Sequence, residues 1–406
     1  MSCARSAAGA LLVLIVASVA YALTNAIINP LLLEVARGFR VPLGLAGQAR
    51  TVLSAAGAAT ALAATFLADR VPRRWQLLAG LGALVAAHTG LALVRLFGWW
   101  MALQALAGMG TAIVSLAGTA AVADYFPEPQ RGAAMGWITT GYPLAWLLGL
   151  PLAGWVADGW GWRVSYLVAG TGVSALAFLG VLLGLPAPAG AASVSSPYRR
   201  GWRMLAARAG VRGWILGELL ATTAWSGFLV FVGSFFGVTY GLRSGAIGMV
   251  MAVFATASVA GTSSSGWWGD RWGRGPVLLA STFLAALWVA PSLSLRLTPA
   301  ASLALVLPYG FVSSVRFPTS GVIALQLAPD ARGTIMAARA LTITLGGMLG
   351  TVLGGVLLTV SGFAAVGVAY AGLTAAGLVA YRLFIPRALL ERDTWAAPEA
   401  PAGGEG

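Results

Sequence analysis

Of the 406 residues, 59% are hydrophobic and 9% charged, against roughly 25% charged in an ordinary soluble domain, which excludes a soluble globular protein. The net charge of +13 would suit a nucleic-acid partner, but the arginines that carry it stand in short loops between apolar runs, so no nucleic acid is expected. Cys3 is the single cysteine, leaving no disulfide framework and no metal cluster of the usual spacing.

Taken in order, apolar runs near 9–33, 45–68, 75–95, 99–122, 132–156, 164–185, 213–239, 245–268, 276–295, 300–326, 333–358 and 363–385 are each long enough to cross a hydrocarbon core about 30 Å thick. Helix is the required conformation, because backbone amides in lipid must be paired within the segment. The first run follows Arg5 and resembles a secretory signal, but it continues to Leu33 and is kept as an uncleaved helix. The expected architecture is an all-α integral membrane protein of twelve transmembrane helices in two pseudo-symmetric six-helix bundles, 1–185 and 213–387. A cytoplasmic linker, 186–212, joins them, and 388–406 is expected to be a disordered tail. Sixteen loop arginines fall on one side and six on the other, which puts both termini in the cytoplasm of a multi-pass cell-membrane protein. Tryptophans near run ends, such as Trp75, Trp99, Trp160 and Trp267, suit an interfacial belt in a lipid bilayer.

Two loops repeat. Leu67-Ala68-Asp69-Arg70-Val71-Pro72-Arg73-Arg74 has its counterpart in Gly266-Trp267-Trp268-Gly269-Asp270-Arg271-Trp272-Gly273-Arg274, with Asp69 and Asp270 201 residues apart. The Arg-Gly pairs at Arg131 and Arg332 give the same offset, so a unit of about 200 residues is written twice, a signature of transporter architecture. The loop pattern resembles the G-x-L-A-D-R-x-G-R-R signature of the major facilitator superfamily, strongest among its proton-coupled drug and metabolite exporters. The second copy matches better, since the first has Thr65 and Pro72 where the family usually has glycine. Gly141, Pro143, Gly149, Pro151 and Gly154 resemble, incompletely, the exporters' glycine-proline motif, with Leu150 where a glycine usually precedes the proline. The resemblance implies that Asp69, Arg70, Arg73, Asp270, Arg271 and Arg274 form a conformational latch. Asp69 would then face the start of the eleventh helix near Gly333, and Asp270 the start of the fifth near Gly132.

Polar side chains inside a span are costly and usually face the bundle interior or a wet cavity. Four runs carry them at helical spacing: Ser18, Tyr21, Asn25 and Asn29; Gln104, Thr111 and Ser115; Glu218, Thr222 and Trp225; Tyr309, Ser313, Arg316 and Ser320. The resemblance implies that these stripes, on spans one, four, seven and ten, line a shared substrate cavity. The competing readings are plain. Ser and Thr commonly bond back to their own helix, and Asn25 and Asn29 also suit interhelical contacts. Glu218 and Arg316 either pair with each other or one of them meets a ligand. Arg339 lies within snorkelling reach of the inner interface, and His88 belongs to the periphery. Pro308 and Pro318 flank Arg316 and predict a bent or locally unwound helix there.

The function expected is secondary active transport of a small organic molecule by rocker-switch alternating access. Proton-coupled efflux of drugs or metabolites is the leading form, with Glu218 as the proton-coupling group and protons as co-partner. The alternative is proton-coupled uptake or exchange of an organic anion, invited by an arginine in the cavity; a non-transporting sensor or scaffold is the minor one. No phosphate-binding loop signature appears, so ATP is not expected to drive it. No cofactor, no enzymatic activity and a monomer are expected.

Overall fold

The computed structural model describes residues 2–67, 71–185, 205 and 208–391, with side chains over the same ranges except 2–8 and 65–67. Asp69, Arg70, most of the expected linker and the tail beyond 391 lie outside the described residues. Within them the chain is nearly all helix and contains no strand. In chain order the helices are α1 (Ser2–Ala26), α2 (Ile28–Phe39), α3 (Leu43–Leu67), α4 (Arg73–Leu93) and α5 (Phe97–Tyr125). Next, α6 starts as Glu128–Thr139 and continues through Gly141–Leu144 and the π-helical turn Ala145–Gly149 into Leu150–Trp160. After α7 (Trp162–Gly184) come α8 (Ala209–Tyr240), α9 (Ser244–Trp272), α10 (Arg274–Ser294), α11 (Pro299–Leu327) and α12 (Arg332–Phe384).

Nine helices among the described residues are long and apolar enough to cross a membrane, where the sequence predicts twelve. The difference arises in three places. In α3 the last three side chains lie outside the described residues, and the remainder, with Gln48 and Arg50, is less apolar. In α6, Pro143 cannot donate to Thr139 and Pro151 cannot donate to Leu147, and the helix divides at Thr140 and widens into the π turn. The third place is α12, a 53-residue helix interrupted at Gly362 by φ 79 and ψ −175, a conformation that suits glycine. Its arms fold back on one another, since the Tyr370 hydroxyl in the second donates to the Gly350 carbonyl in the first at 2.7 Å. Pro30 acts similarly at the α1–α2 junction, where the bend at Ile27 follows Ala26, the carbonyl that Pro30 leaves without its donor. In contrast, α11 runs unbroken through Pro308 and Pro318, so the expected unwinding near Arg316 is absent.

The apolar core has a shape that bears on function. One cluster takes residues from both ends of the chain, among them Leu31, Val35, Trp146 and Leu150 with Phe228, Phe231, Phe235 and Met251. A second draws only on α1 to α7, including Leu77, Leu81, Val114, Phe126 and Val181. The third draws on Leu205 and α8 to α12, including Trp214, Leu278, Ile323 and Tyr381. Helices α1–α7 and α8–α12 thus share a core near the Phe39 and Tyr240 end of the bundle and keep separate cores at the other.

Candidate functional site

The joined end is built from glycine contacts and a few polar pairs. A Cβ on Gly44 in α3 would overlap the Gly355 carbonyl of α12, and one on Gly154 in α6 would overlap the Ser244 carbonyl of α9. Only glycine permits backbones to approach so closely. Around these contacts Gln48 Nε2 donates to the Thr351 carbonyl at 3.2 Å, and Ser244 Oγ donates to Glu34 Oε1 at 2.5 Å. The Gly245 amide donates to Asp158 Oδ2 at 3.1 Å, and Arg243 Nη2 donates to the Asp158 carbonyl at 2.7 Å.

At the opposite end Asp270 makes no contact across the two helix sets among the described residues, and Asp69 lies outside them. Asp270 bridges to Arg274, four residues along the chain, at 3.8 Å. A Cβ on Gly132 or Gly333, the expected docking points, would meet no described atom within 4 Å. The fifth expected segment also starts earlier than its predicted boundary, at Glu128, whose carboxylate already occupies the first helical turn. Arg73 pairs with Asp124 at 3.6 Å, and the Arg271 guanidinium lies 5.7 Å from the centre of the Trp267 ring.

Glu218 and Arg316 meet. Glu218 Oε2 accepts from Arg316 Nη1 at 2.8 Å, Ser320 Oγ at 2.6 Å and Tyr381 Oη at 2.8 Å. Trp214, one turn from Glu218 on α8, donates from Nε1 to Ser320 Oγ at 2.9 Å. The pattern follows from helical spacing: α8 offers Trp214 and Glu218, α11 offers Arg316 and Ser320, and each pair lies on one face four residues apart. Gly217 leaves the room that the Tyr381 ring fills. The carboxylate is 0% exposed and the guanidinium 2%, so the pair is sealed among α8, α11 and the second arm of α12. Such a pair offsets its desolvation only when its remaining polar atoms are satisfied, and here Ser320 and Tyr381 supply two bonds while Glu218 Oε1 has none. Arg339 is held separately: its Nη2 donates to the Phe317 carbonyl at 2.6 Å and its guanidinium lies 4.3 Å from the Phe317 ring centre.

The other stripe residues divide between packing and half-open positions. Tyr309 is buried, 4.5 Å from Phe228 and 5.6 Å from Trp225 between ring centres, and Trp225 also stacks near Phe254, so these two join an aromatic cluster. Thr111 bonds back to the Ala107 carbonyl at 2.7 Å. Gln104, Asn29, Thr222 and Ser313 are buried, with Asn29 Oδ1 and Thr222 Oγ1 lacking partners. His88 is buried on α4 with Nδ1 3.3 Å from Ser174 Oγ. Tyr21 and Asn25 are half-buried, and Asn25 Nδ2 donates to the Tyr21 carbonyl at 2.9 Å. Glu218 and Arg316 thus close on each other, while Asn25 stands with a residue outside the four stripes.

That residue is Arg50, on α3. Its Nη1 donates to the Asn25 carbonyl, and the side chain is half-buried. It follows Gly47 by three residues, hence shares a helix face with it, and a Cβ on Gly47 would come within 2.8 Å of the Phe231 ring across the joined end. Arg50 accordingly stands one turn along α3 from that contact, on the same helix face. The sequence signal was present: an arginine five residues inside the second expected span, where neither loop counting nor the stripes on spans one, four, seven and ten would register it.

A family model described as Major Facilitator Superfamily matches residues 14–307 and, in a second match, 214–402. An uncharacterized MFS-type transporter of Bacillus subtilis (strain 168), YbcL, is 25% identical over 253 residues. That match spans 61% of this chain and 62% of the relative's length. Among solved structures, a bacterial homologue of the human lysosomal transporter Spinster, in an inward-facing and occupied conformation, aligns with a TM-score of 0.71 at 17% identity, over 92% of this chain and 93% of that one. An inward-facing and unoccupied structure of such a homologue gives 0.67 at 15% identity, over 94% and 95%.

Proposed function

Because the chain belongs to the Major Facilitator Superfamily, we propose that it is a secondary active transporter that moves a small organic molecule by rocking α1–α7 against α8–α12, and that the state described here is closed at the outer end. The observation that carries this reading is the division of the core: one cluster shared across the two helix sets at one end, two private clusters at the other. Two rigid units hinged against each other require that arrangement, because the joined end must part without either unit losing its own core. The arginine bias of the loops supports a cytoplasmic opening, and the two similar solved structures are described as inward-facing.

Efflux remains the first form of the proposal, on the loop pattern and the glycine-proline residues of α6. Proton coupling at Glu218 belongs to it on one condition: the carboxylate must leave Arg316 when it takes up a proton, since a neutral carboxyl beside an unpaired guanidinium is unfavourable in a dry interior.

Alternating access is tested by pulsed electron paramagnetic resonance on a Cys3→Ser background, with spin labels at Gly98 and Leu297 at the joined end and at Gly132 and Gly333 at the other. In lipid, both pairs are expected to sample two distances, with the long population of one rising as that of the other falls across an imposed pH gradient. A single distance at both ends under all conditions sinks the reading.

A further inference from the structure

Three arginines lie inside helices away from the loops, and the chain treats them differently. Arg316 is neutralised by Glu218, and Arg339 is capped by a carbonyl and stacked on a ring. Arg50 has one backbone carbonyl and, among the described residues, no carboxylate within ion-pair distance. An unpaired cation at membrane depth is expensive, and such residues mark ligand or ion pathways. We propose that Arg50 is the anion-binding residue of the space between the two helix sets, and that its ligand is the carboxylate of a small organic acid with an apolar or aromatic body.

Three features of the geometry specify that chemistry. First, Nη1 is tied to the Asn25 carbonyl, which holds the side chain in place and leaves the Nε and Nη2 edge. That edge presents two parallel N–H groups and takes a carboxylate in bidentate fashion. Second, the site has one uncompensated positive charge. A monoanion balances it, whereas a dianionic phosphate would leave excess negative charge in a poorly solvated place. Third, the neighbours suit an organic body: Tyr142, an electrostatic neighbour of Arg50, is 42% exposed and stacks 6.4 Å from Trp146, and Tyr21 and Asn25 are half-buried on the adjoining face of α1. The position is also suitable. Asn29 abuts Gly233 of α8 across the joined end, so Asn25, one turn deeper on the same face of the first helical column, and Arg50 both lie just beneath the closed gate, where a substrate would be trapped before the far side opens. This inference rests on the transporter reading above and reassigns its anion site from Arg316 to Arg50.

The test uses purified full-length protein in lipid nanodiscs. Acetate, hexanoate, benzoate and indole-3-acetate, each beside its amide, with chloride and benzylammonium as further arms, are titrated by thermal shift and tryptophan fluorescence. At least one carboxylate is expected to bind tenfold or more tightly than its amide, with Arg50→Gln abolishing that preference and Arg50→Lys, which keeps the charge and loses the fork, retaining part of it. In the unmodified protein the same carboxylate should shield Arg50 from phenylglyoxal, read by mass spectrometry, a measurement that does not depend on a variant folding. The proposal is overturned if no carboxylate is preferred to its amide, if Arg50→Gln keeps the preference, or if chloride alone competes for Arg50. Should the spin-label distances still alternate in that case, transport stands and only the ligand assignment falls; should they stay fixed, the transport reading falls whatever binds.

Discussion

Two arginines within the helices of one chain meet opposite fates. Around Arg316 three helices contribute a carboxylate, a hydroxyl and a phenol, and solvent is shut out. Around Arg50 one neighbouring helix contributes one carbonyl, and the residue is half-buried. The difference teaches that charge inside a membrane bundle has two uses. The sealed pair ties α8, α11 and the second arm of α12 together, whereas the incomplete one leaves the electrostatic demand that the proposed carboxylate would meet.

The sharpest way to break this comparison is to remove Arg316. Arg316→Met would strand Glu218 in a dry interior, at a cost of about 3–5 kcal/mol, and the detergent-solubilised protein is expected to melt well below the parent. Replacing both members, Glu218→Gln with Arg316→Met, should restore most of that loss, because apolar or neutral substitutes for a whole buried pair are often tolerated. If the single variant melts like the parent while pH-driven flux disappears, Arg316 is not a fastening and the contrast with Arg50 fails.

How much of this could be read beforehand differs by feature. Helix, membrane and duplication follow from hydropathy and from the matched loops at Asp69 and Asp270, because lipid leaves the backbone few alternatives. The encounter of Glu218 with Arg316 was one of two stated alternatives, legible because two opposite charges inside spans are costly apart. Arg50 was not read, since it sits near a span end, where sequence alone does not separate a snorkelling arginine from one turned inward; the carbonyl that receives its guanidinium belongs to Asn25, 25 positions earlier on another helix. The effect of each proline was also hidden. Pro151 lies just beyond a π turn, whereas Pro308 and Pro318 pass without a break, a difference that the prolines themselves do not encode. Nor does a sequence say which end of a two-ended machine is shut.

A moderate effect is expected at the shut end. Gly44→Leu would drive a side chain into the Gly355 carbonyl, a backbone group that cannot rotate away. Overpacking of this kind costs about 1–3 kcal/mol, and here it falls only on the state in which the two sets touch, so the population should move roughly 5- to 150-fold toward the outward-open form. The Gly98 and Leu297 spin-label pair would report longer distances. Gly136→Leu, where a new Cβ meets nothing within 4 Å, is the control and should leave the distribution alone. A Gly44→Leu protein with unchanged distances would mean that the glycine contact does not hold the gate, and that the shared core alone closes it.

The smallest expected effect on stability lies at the open end. Asp270 is 70% exposed and pairs only with Arg274 on the neighbouring turn, an arrangement that contributes about 0.3–0.5 kcal/mol, so Asp270→Asn should scarcely alter melting. Its proposed work is in the other state, where the loop would close on the start of α6 and the carboxylate would face the positive end of that helix, a contact of about 0.3–2 kcal/mol. Transport is therefore expected to slow by a factor between about two and thirty while ligand affinity in detergent holds. The α6 start carries Glu128 in its first turn, and this carboxylate would repel the incoming Asp270. Glu128→Gln should then strengthen the latch and enlarge the loss caused by Asp270→Asn. If transport by Asp270→Asn matches the parent in both backgrounds, the loop does not latch, and the gates would have to differ in kind, with the outer one held by glycine packing and the inner one by no charge at all.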